Sequence, residues 1–110
     1  MQTFSLTELA EQHLATAHTS ASGRSAQTVY GGSDSTLRQT LIALAGGQRL
    51  DEHENPGQAT VHVLTGRVRM AAGEQTCDVD TGSLLAVPDA RHSLEALEDA
   101  VVLLTVAKIA

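Results

Sequence analysis

Three of the five histidines fall within two short segments of the sequence. His53 and His62 lie in the segment 46–66, and His92 ends the segment 82–92. Imidazole nitrogens are common ligands of divalent transition metals, and three of them leave coordination positions open for water or a substrate. The pattern therefore predicts a site for Zn, Fe, Ni, Mn or Cu, provided that the fold brings the three side chains together.

The strands around these histidines decide whether the rings can meet. Side chains alternate between the two faces of a strand, so each strand can turn only half of its residues toward a given pocket. If the strands of His53 and His62 turn those residues to the inside of a β-barrel, His92 can enter the same cavity from a third strand. The pocket would then also be lined by Asn55, Gln58 and Thr60.

The same residues are compatible with a site that holds no metal. An interior histidine can be a packing residue whose ring nitrogens bond to the backbone or to neighbouring amides. His62 could bond in this way to Asn55 and Gln58, and His92 could orient the turn after Pro88. Both alternatives stay open at the level of the sequence.

A helix is predicted at the start of the chain. Apolar residues recur at helical spacing over 6–17, and Ser5 with Glu8 has the form of a capping box. We expect the helix to end near Ala17 or His18. The small polar residues up to residue 26 then predict a loop.

Short strands are predicted for the rest of the chain. The segment 36–45 fits either a helix or a strand, because its leucines satisfy both periodicities. From Leu50 onward, Val- and Thr-rich runs are separated by turn signals about every ten residues, which is typical of a sandwich or barrel. The segment 101–107 is almost wholly apolar, as a strand buried on both faces should be.

Composition argues against several kinds of partner and location. The 110 residues carry a formal charge of −6 without a cluster of Lys and Arg, so we expect no nucleic-acid partner. Neither a signal peptide nor an apolar run of roughly 20 residues is visible, so we expect no membrane span. A single cysteine, Cys77, cannot form an internal disulfide, which favours a cytoplasmic location.

The two histidine segments resemble the two signature motifs of the cupin family of small β-barrels. The first motif has the form G-x5-H-x-H-x(3,4)-E-x6-G, in which His53 matches the first histidine and Gly66 the closing glycine. Asn55 stands where the second histidine would be, and Thr60 where the glutamate would be. His62 lies one same-face step beyond Thr60, where it could take over as a ligand with altered geometry.

The second motif has the form G-x5-P-x-G-x2-H-x3-N. Gly82 and Pro88 match it, Ala90 replaces its second glycine, and His92 comes one residue early. The resemblance covers residues 37–107, about two thirds of the chain. It implies an all-β, cupin-type double-stranded β-helix barrel (jelly roll), and it favours a strand for 36–45. We expect an N-terminal helix and loop at 1–26, a barrel at 27–110, and a homodimer.

Two functions follow from these expectations. One is a metal-dependent cupin in which His53, His62 and His92 hold a metal that acts on a small organic molecule. The other is a non-catalytic module that binds or senses a small ligand without metal, as the replacements at Asn55 and Thr60 suggest. The sequence leaves open whether the protein is an enzyme.

Overall fold

The protein consists of two antiparallel sheets and one helix. The computed structural model describes residues 1–53 and 57–108, with residues 52 and 53 described by their backbone alone. Helix α1 spans Leu6–Thr19. The strands are β1 (Arg24–Tyr30), β2 (Leu37–Leu44), β3 (Arg49–His53), β4 (Gly57–Thr65), β5 (Arg67–Ala72), β6 (Gln75–Asp80), β7 (Leu84–Ala86), β8 (His92–Ala96) and β9 (Ala100–Lys108). The predicted all-β fold with an N-terminal helix is confirmed.

The strands form a five-stranded sheet in the order β1-β2-β9-β4-β7 and a four-stranded sheet in the order β3-β8-β5-β6. The ambiguous segment 36–45 forms β2, which pairs with β9 without a register shift over its whole length. Its pattern is ambiguous because both faces of β2 are covered. Ile42 and Leu44 point between the sheets, whereas Leu41 and Ala43 point toward the helix.

Apolar side chains therefore form two cores on opposite faces of the larger sheet. The inner core fills the barrel and includes Val61, Val63 and Val102. The outer core lies under α1 and joins Ala10 and Ala17 of the helix to side chains of the sheet. Residues of β2 and β9 alternate between these two cores, which is why the segment 101–107 is almost wholly apolar.

Helix α1 begins as predicted, because the Ser5 hydroxyl accepts a hydrogen bond from the Glu8 amide at 3.2 Å. The helix continues to Thr19, one to two residues beyond the expected end. The loop predicted up to residue 26 is shorter, because β1 begins at Arg24 and crosses the expected boundary between residues 26 and 27. Whether residues 1–26 form a separate unit stays a prediction.

The polar residues at the start of β1 are ordered by the helix. The two ring nitrogens of His13 are hydrogen-bonded to Ser25 Oγ at 2.6 Å and to Gln27 Oε1 at 2.8 Å. His13 therefore joins α1 to the edge strand of the larger sheet. A small polar segment that reads as a loop in isolation becomes a strand because β2 and α1 supply its partners.

Asp99 connects the end of α1 with two turns of the barrel. Its carboxylate accepts hydrogen bonds from the Gly46 amide at 2.9 Å and from His18 Nε2 at 2.7 Å. These bonds, the one from Gly46 above all, hold the pKa of Asp99 below its ordinary value of 3.8. The folded state thus favours the ionised form of the Asp99 carboxyl group.

We expect this carboxylate to make stability depend on pH in the acid range. Because the pKa of Asp99 is lowered in the folded state, its stabilisation is present above the unfolded pKa and is lost as the pH falls through the folded value. Asp99→Asn should lower the melting temperature relative to the wild type at about pH 7. Below about pH 3, the difference between the two melting temperatures should be smaller. A constant difference at both values, measured by circular dichroism, would contradict the assignment.

Candidate functional site

The inner faces of the two sheets enclose a small apolar cavity. Its lining consists of the inward side chains of six strands and one loop residue: Ile42, Leu50, Val61, Met70, Val87, His92, Leu94, Val102 and Leu104. The space between these side chains, partly open to solvent, is about 310 Å³. Within it, the volume that the centre of a water molecule can occupy is about 20 Å³, which is close to the room that one water molecule needs.

His92 is the polar member of this lining. It is the first residue of β8, and it is only 4% exposed. Its Nδ1 lies 2.8 Å from the carbonyl oxygen of Ala90. A carbonyl oxygen can only accept, so Nδ1 carries a proton in this bond, which fixes the orientation of the ring. The imidazole is thus held against an otherwise hydrocarbon wall.

His53 and His92 are partners across the two strands β3 and β8. The backbone therefore brings two of the three histidines of the predicted metal site to adjacent positions of one sheet. The Cα atoms of such partners lie about 4.5–5.5 Å apart in antiparallel sheets. Asn55, the polar residue two positions further on, lies outside the described residues.

His62 faces the other way. On β4 the inward residues are Val61 and Val63, which belong to the inner core. His62 lies between them and pairs with Leu103, a residue of the outer core. The expectation that His62 enters the barrel is therefore not met, and the structure does not bring it to His92.

Thr60 and Gln58 share the outward face of β4. Each pairs with an outward residue of β9, and neither is part of the cavity lining, so the expectation that they line the pocket is not met. The physical reason is that the opposite orientation of β4 would turn Val61 and Val63 out of the barrel and bury His62 and Thr60 inside it. Burying these polar side chains would cost free energy. Among the side chains that the structure describes, those of residues 1–51 and 57–108, no group of three or more His, Cys, Asp or Glu is arranged to hold a metal ion.

Arg38 is a partly buried cation on the inner face of β2 that the sequence pattern did not single out. It lies on the inner face of β2, four residues before Ile42, and the register of β2 with β9 is unbroken between them. An Nη of Arg38 donates to the Gly32 carbonyl at 3.2 Å, and its Nε is buried without a hydrogen-bond partner. The sequence feature that indicates its orientation is its even spacing from Ile42 and Leu44, which places all three on the inner face of β2. The leucine pattern on the opposite face obscured this spacing.

The charged residues of β5 and β6 lie on the outside of the smaller sheet. Arg69 Nε donates to Asp78 at 2.7 Å, and Arg67 Nε donates to Asp80 at 2.7 Å. The hydrogen bond between Arg69 and Asp78 raises the pKa of the guanidinium and lowers the pKa of the carboxylate. These exposed pairs lie away from the cavity and contribute to the sheet surface.

Comparison with solved structures identifies the fold. The chain is similar to a conserved protein of unknown function from Streptococcus pyogenes, with 27% identity, a TM-score of 0.73, and coverage of 83% of this chain and 79% of that one. It is similar to an RmlC-like cupin from Desulfovibrio desulfuricans, with 21% identity, a TM-score of 0.73, and coverage of 97% and 96%. A variant of salicylate 1,2-dioxygenase from Pseudoaminobacter salicylatoxidans gives 18% identity, a TM-score of 0.75, and coverage of 93% and 33%.

The protein is a small β-barrel with the cupin fold. That conclusion confirms the resemblance carried by the two histidine segments. No protein-family model matches the sequence, and no curated protein is significantly similar to it. Within the described residues, no helix is long and apolar enough to cross a membrane. The similar structures range from a protein of unknown function to a dioxygenase, so the fold alone does not select an activity.

Proposed function

We propose that this cupin barrel binds a small, largely apolar organic molecule in its central cavity, with the His92 imidazole as a polar contact. The observation that supports this most directly is a buried imidazole, oriented by the Ala90 carbonyl, in a lining that is otherwise hydrocarbon. Sites of this composition suit ligands that combine an apolar body with few polar groups.

The size of the cavity limits the ligand. About 20 Å³ of room accommodates a water molecule, so an organic molecule must displace side chains of the lining. Met70 and Leu50 are the members best suited to move, because Met is unbranched and flexible and Leu50 is only partly buried. The proposed ligand therefore has a short aliphatic body rather than a fused ring system.

A ligand screen on two matched variants tests this function. We expect short aliphatic acids, amides and alcohols to raise the melting temperature of the protein in the presence of a chelator. His92→Phe, which keeps a ring but removes both nitrogens, should weaken binding of the best ligand by about tenfold or more. His62→Phe makes the same change on the outer face and should leave the affinity unchanged.

Isothermal titration calorimetry measures these affinities, and circular dichroism checks that both variants are folded. Equal affinity of His92→Phe and the wild type for every ligand would remove His92 from the site. Absence of any stabilising ligand, with or without chelator, would contradict the function itself.

A metal-dependent activity is the second candidate. The pairing of His53 with His92 across β3 and β8 favours it, because two histidines of one sheet are adjacent. Against it, His62 lies on the outer face and the described lining contains no carboxylate. The described residues thus do not make up a complete metal centre.

Metal analysis of protein purified without an affinity tag separates the two candidates. A transition metal near one equivalent, lost from a His92→Ala variant but retained by His62→Ala, would favour the second candidate. If the protein contains no metal and gains no thermal stability from added Zn, Fe, Ni, Mn or Cu salts, the metal-dependent candidate is excluded and the metal-free binding module is favoured.

A homodimer is proposed through the edge strand β7 of the larger sheet, away from the part of the outer face that α1 covers. His62 pairs there with Leu84 on the edge strand β7, and Leu84 is 66% exposed. A second copy covering this edge would bury the leucine and shield the unpaired strand edge. We also propose a cytoplasmic location and no nucleic-acid or membrane partner, on the charge and cysteine content.

Leu84→Glu should shift a dimer toward monomer, because it places a charge in the proposed interface. Thr76→Glu adds the same charge at an exposed position of the smaller sheet and should leave the association unchanged. Sedimentation equilibrium at micromolar protein measures the effect. A wild-type protein that is monomeric under these conditions would refute the dimer.

A further inference from the structure

Arg38 lies on the inner face of β2, beyond one end of the cavity lining. Its inward neighbours across the sheet are Val106 on β9 and Ala59 on β4. The next inward level contains Leu104 and Val61, both of which line the cavity. Val106, the partner of Arg38, is therefore one same-face step (about 6.6 Å) from Leu104 in the cavity wall, whereas on β2 itself the first lining residue, Ile42, lies two such steps from Arg38.

The same end of the barrel carries His92. Strand β8 begins with His92, which pairs with the last residue of β3, and β4 begins only a few residues later with Gly57. Gly57 pairs with Lys108 at the end of β9, beside the start of β2. A group bound to Arg38 thus lies over the cavity that includes His92, between the two sheets.

The guanidinium of Arg38 is incompletely bonded. Its Nη2 donates to the carbonyl of Gly32 at 3.2 Å, while Nε is shielded from solvent without a hydrogen-bond partner. Within the described part of the chain, Arg38 forms no ion pair with a carboxylate. Buried polar groups are nearly always hydrogen-bonded, so an orphaned donor on a cation points to a missing acceptor.

The geometry points to a carboxylate as that acceptor. A guanidinium presents parallel N–H donors that match the two oxygens of a carboxylate, whereas a hydroxyl or an amide engages only one of them well. We infer that the ligand of the proposed pocket is a short-chain monocarboxylate. Its carboxylate binds Nε and an Nη of Arg38, and its aliphatic chain enters the cavity.

Binding has a modest structural cost. The bond that holds the guanidinium in place is a single contact to Gly32, in a turn whose residues are mostly exposed. Turning the guanidinium toward the cavity exchanges this contact for two charge-assisted bonds. This inference rests on the proposed pocket, and it specifies the chemical class that the pocket selects.

The test compares 3-methylbutanoate with its neutral primary amide on three variants, by calorimetry. We expect the acid to bind wild-type protein about tenfold or more tightly than the amide. Arg38→Gln should reduce the affinity for the acid to that for the amide. Arg38→Lys should keep only part of the wild-type affinity for the acid, because lysine lacks the planar pair of donors. Arg24→Gln, the same change at the other end of the larger sheet, should have no effect.

The outcomes separate this inference from the function on which it rests. Equal binding of acid and amide, or an unchanged affinity in a folded Arg38→Gln protein, would overturn the role of Arg38 and leave the pocket in place. Binding of neither compound to wild-type protein would count against both. Loss of acid binding in Arg38→Gln with retained amide binding supports the carboxylate site.

Discussion

Replacing Gly66 by alanine is expected to lower the free energy of unfolding by at least about 3 kcal/mol. Gly66 joins β4 to β5 with a φ of +80°, which a residue with a Cβ rarely adopts. An added Cβ would also overlap the carbonyl oxygen of Asp99 and come within 3.0 Å of the Ala100 Cα. Both contacts are to backbone, so no side chain can move aside. Urea denaturation monitored by circular dichroism measures the loss.

Gly73→Ala supplies the matched control. Gly73 has a φ of +61° in the turn between β5 and β6, but a Cβ there would meet no atom within 4 Å. Its substitution should therefore cost only the backbone strain, about 1 kcal/mol. If both substitutions cost the same, the close approach of Gly66 to Asp99 is not what requires glycine there.

Leu41→Ala should cost about 3 kcal/mol, the second largest effect expected. Leu41 is fully buried on the face of β2 that α1 covers, together with Ala10 and Ala17 of the helix. Truncation leaves a cavity between helix and sheet that neither element can close alone. The loss should appear in one cooperative transition, because the helix shares this core with the barrel.

Leu37→Ala is the control on the same strand and the same face. Leu37 is 41% exposed, beyond the part of the sheet that the helix covers, and its truncation should cost about 0.5 kcal/mol. A loss for Leu41→Ala no larger than this would show that the helix does not pack there. A separate low-temperature transition would instead identify residues 1–26 as an independently unfolding unit.

Local pattern was sufficient for the fold but only partly for the site. The glycine turns, the apolar final strand and the two motif segments are each set by residues close in sequence, and they predict the barrel. The direction of a side chain is a different matter. On β4 the apolar residues favour Val61 on the inside, whereas the predicted metal site required His62 there, and pairing with β9 decides between the two.

The sequence by itself determined a helix followed by the short strands of a sandwich or barrel, because capping, periodicity and turn residues act over a few positions, and the resemblance to the cupin motifs implied the barrel. Only the tertiary structure decided that His62 lies on the outer face of β4 and that Arg38 lies on the inner face of β2. The reason is that a strand's faces are equivalent until pairing with β9 and packing of α1 make one of them the inside.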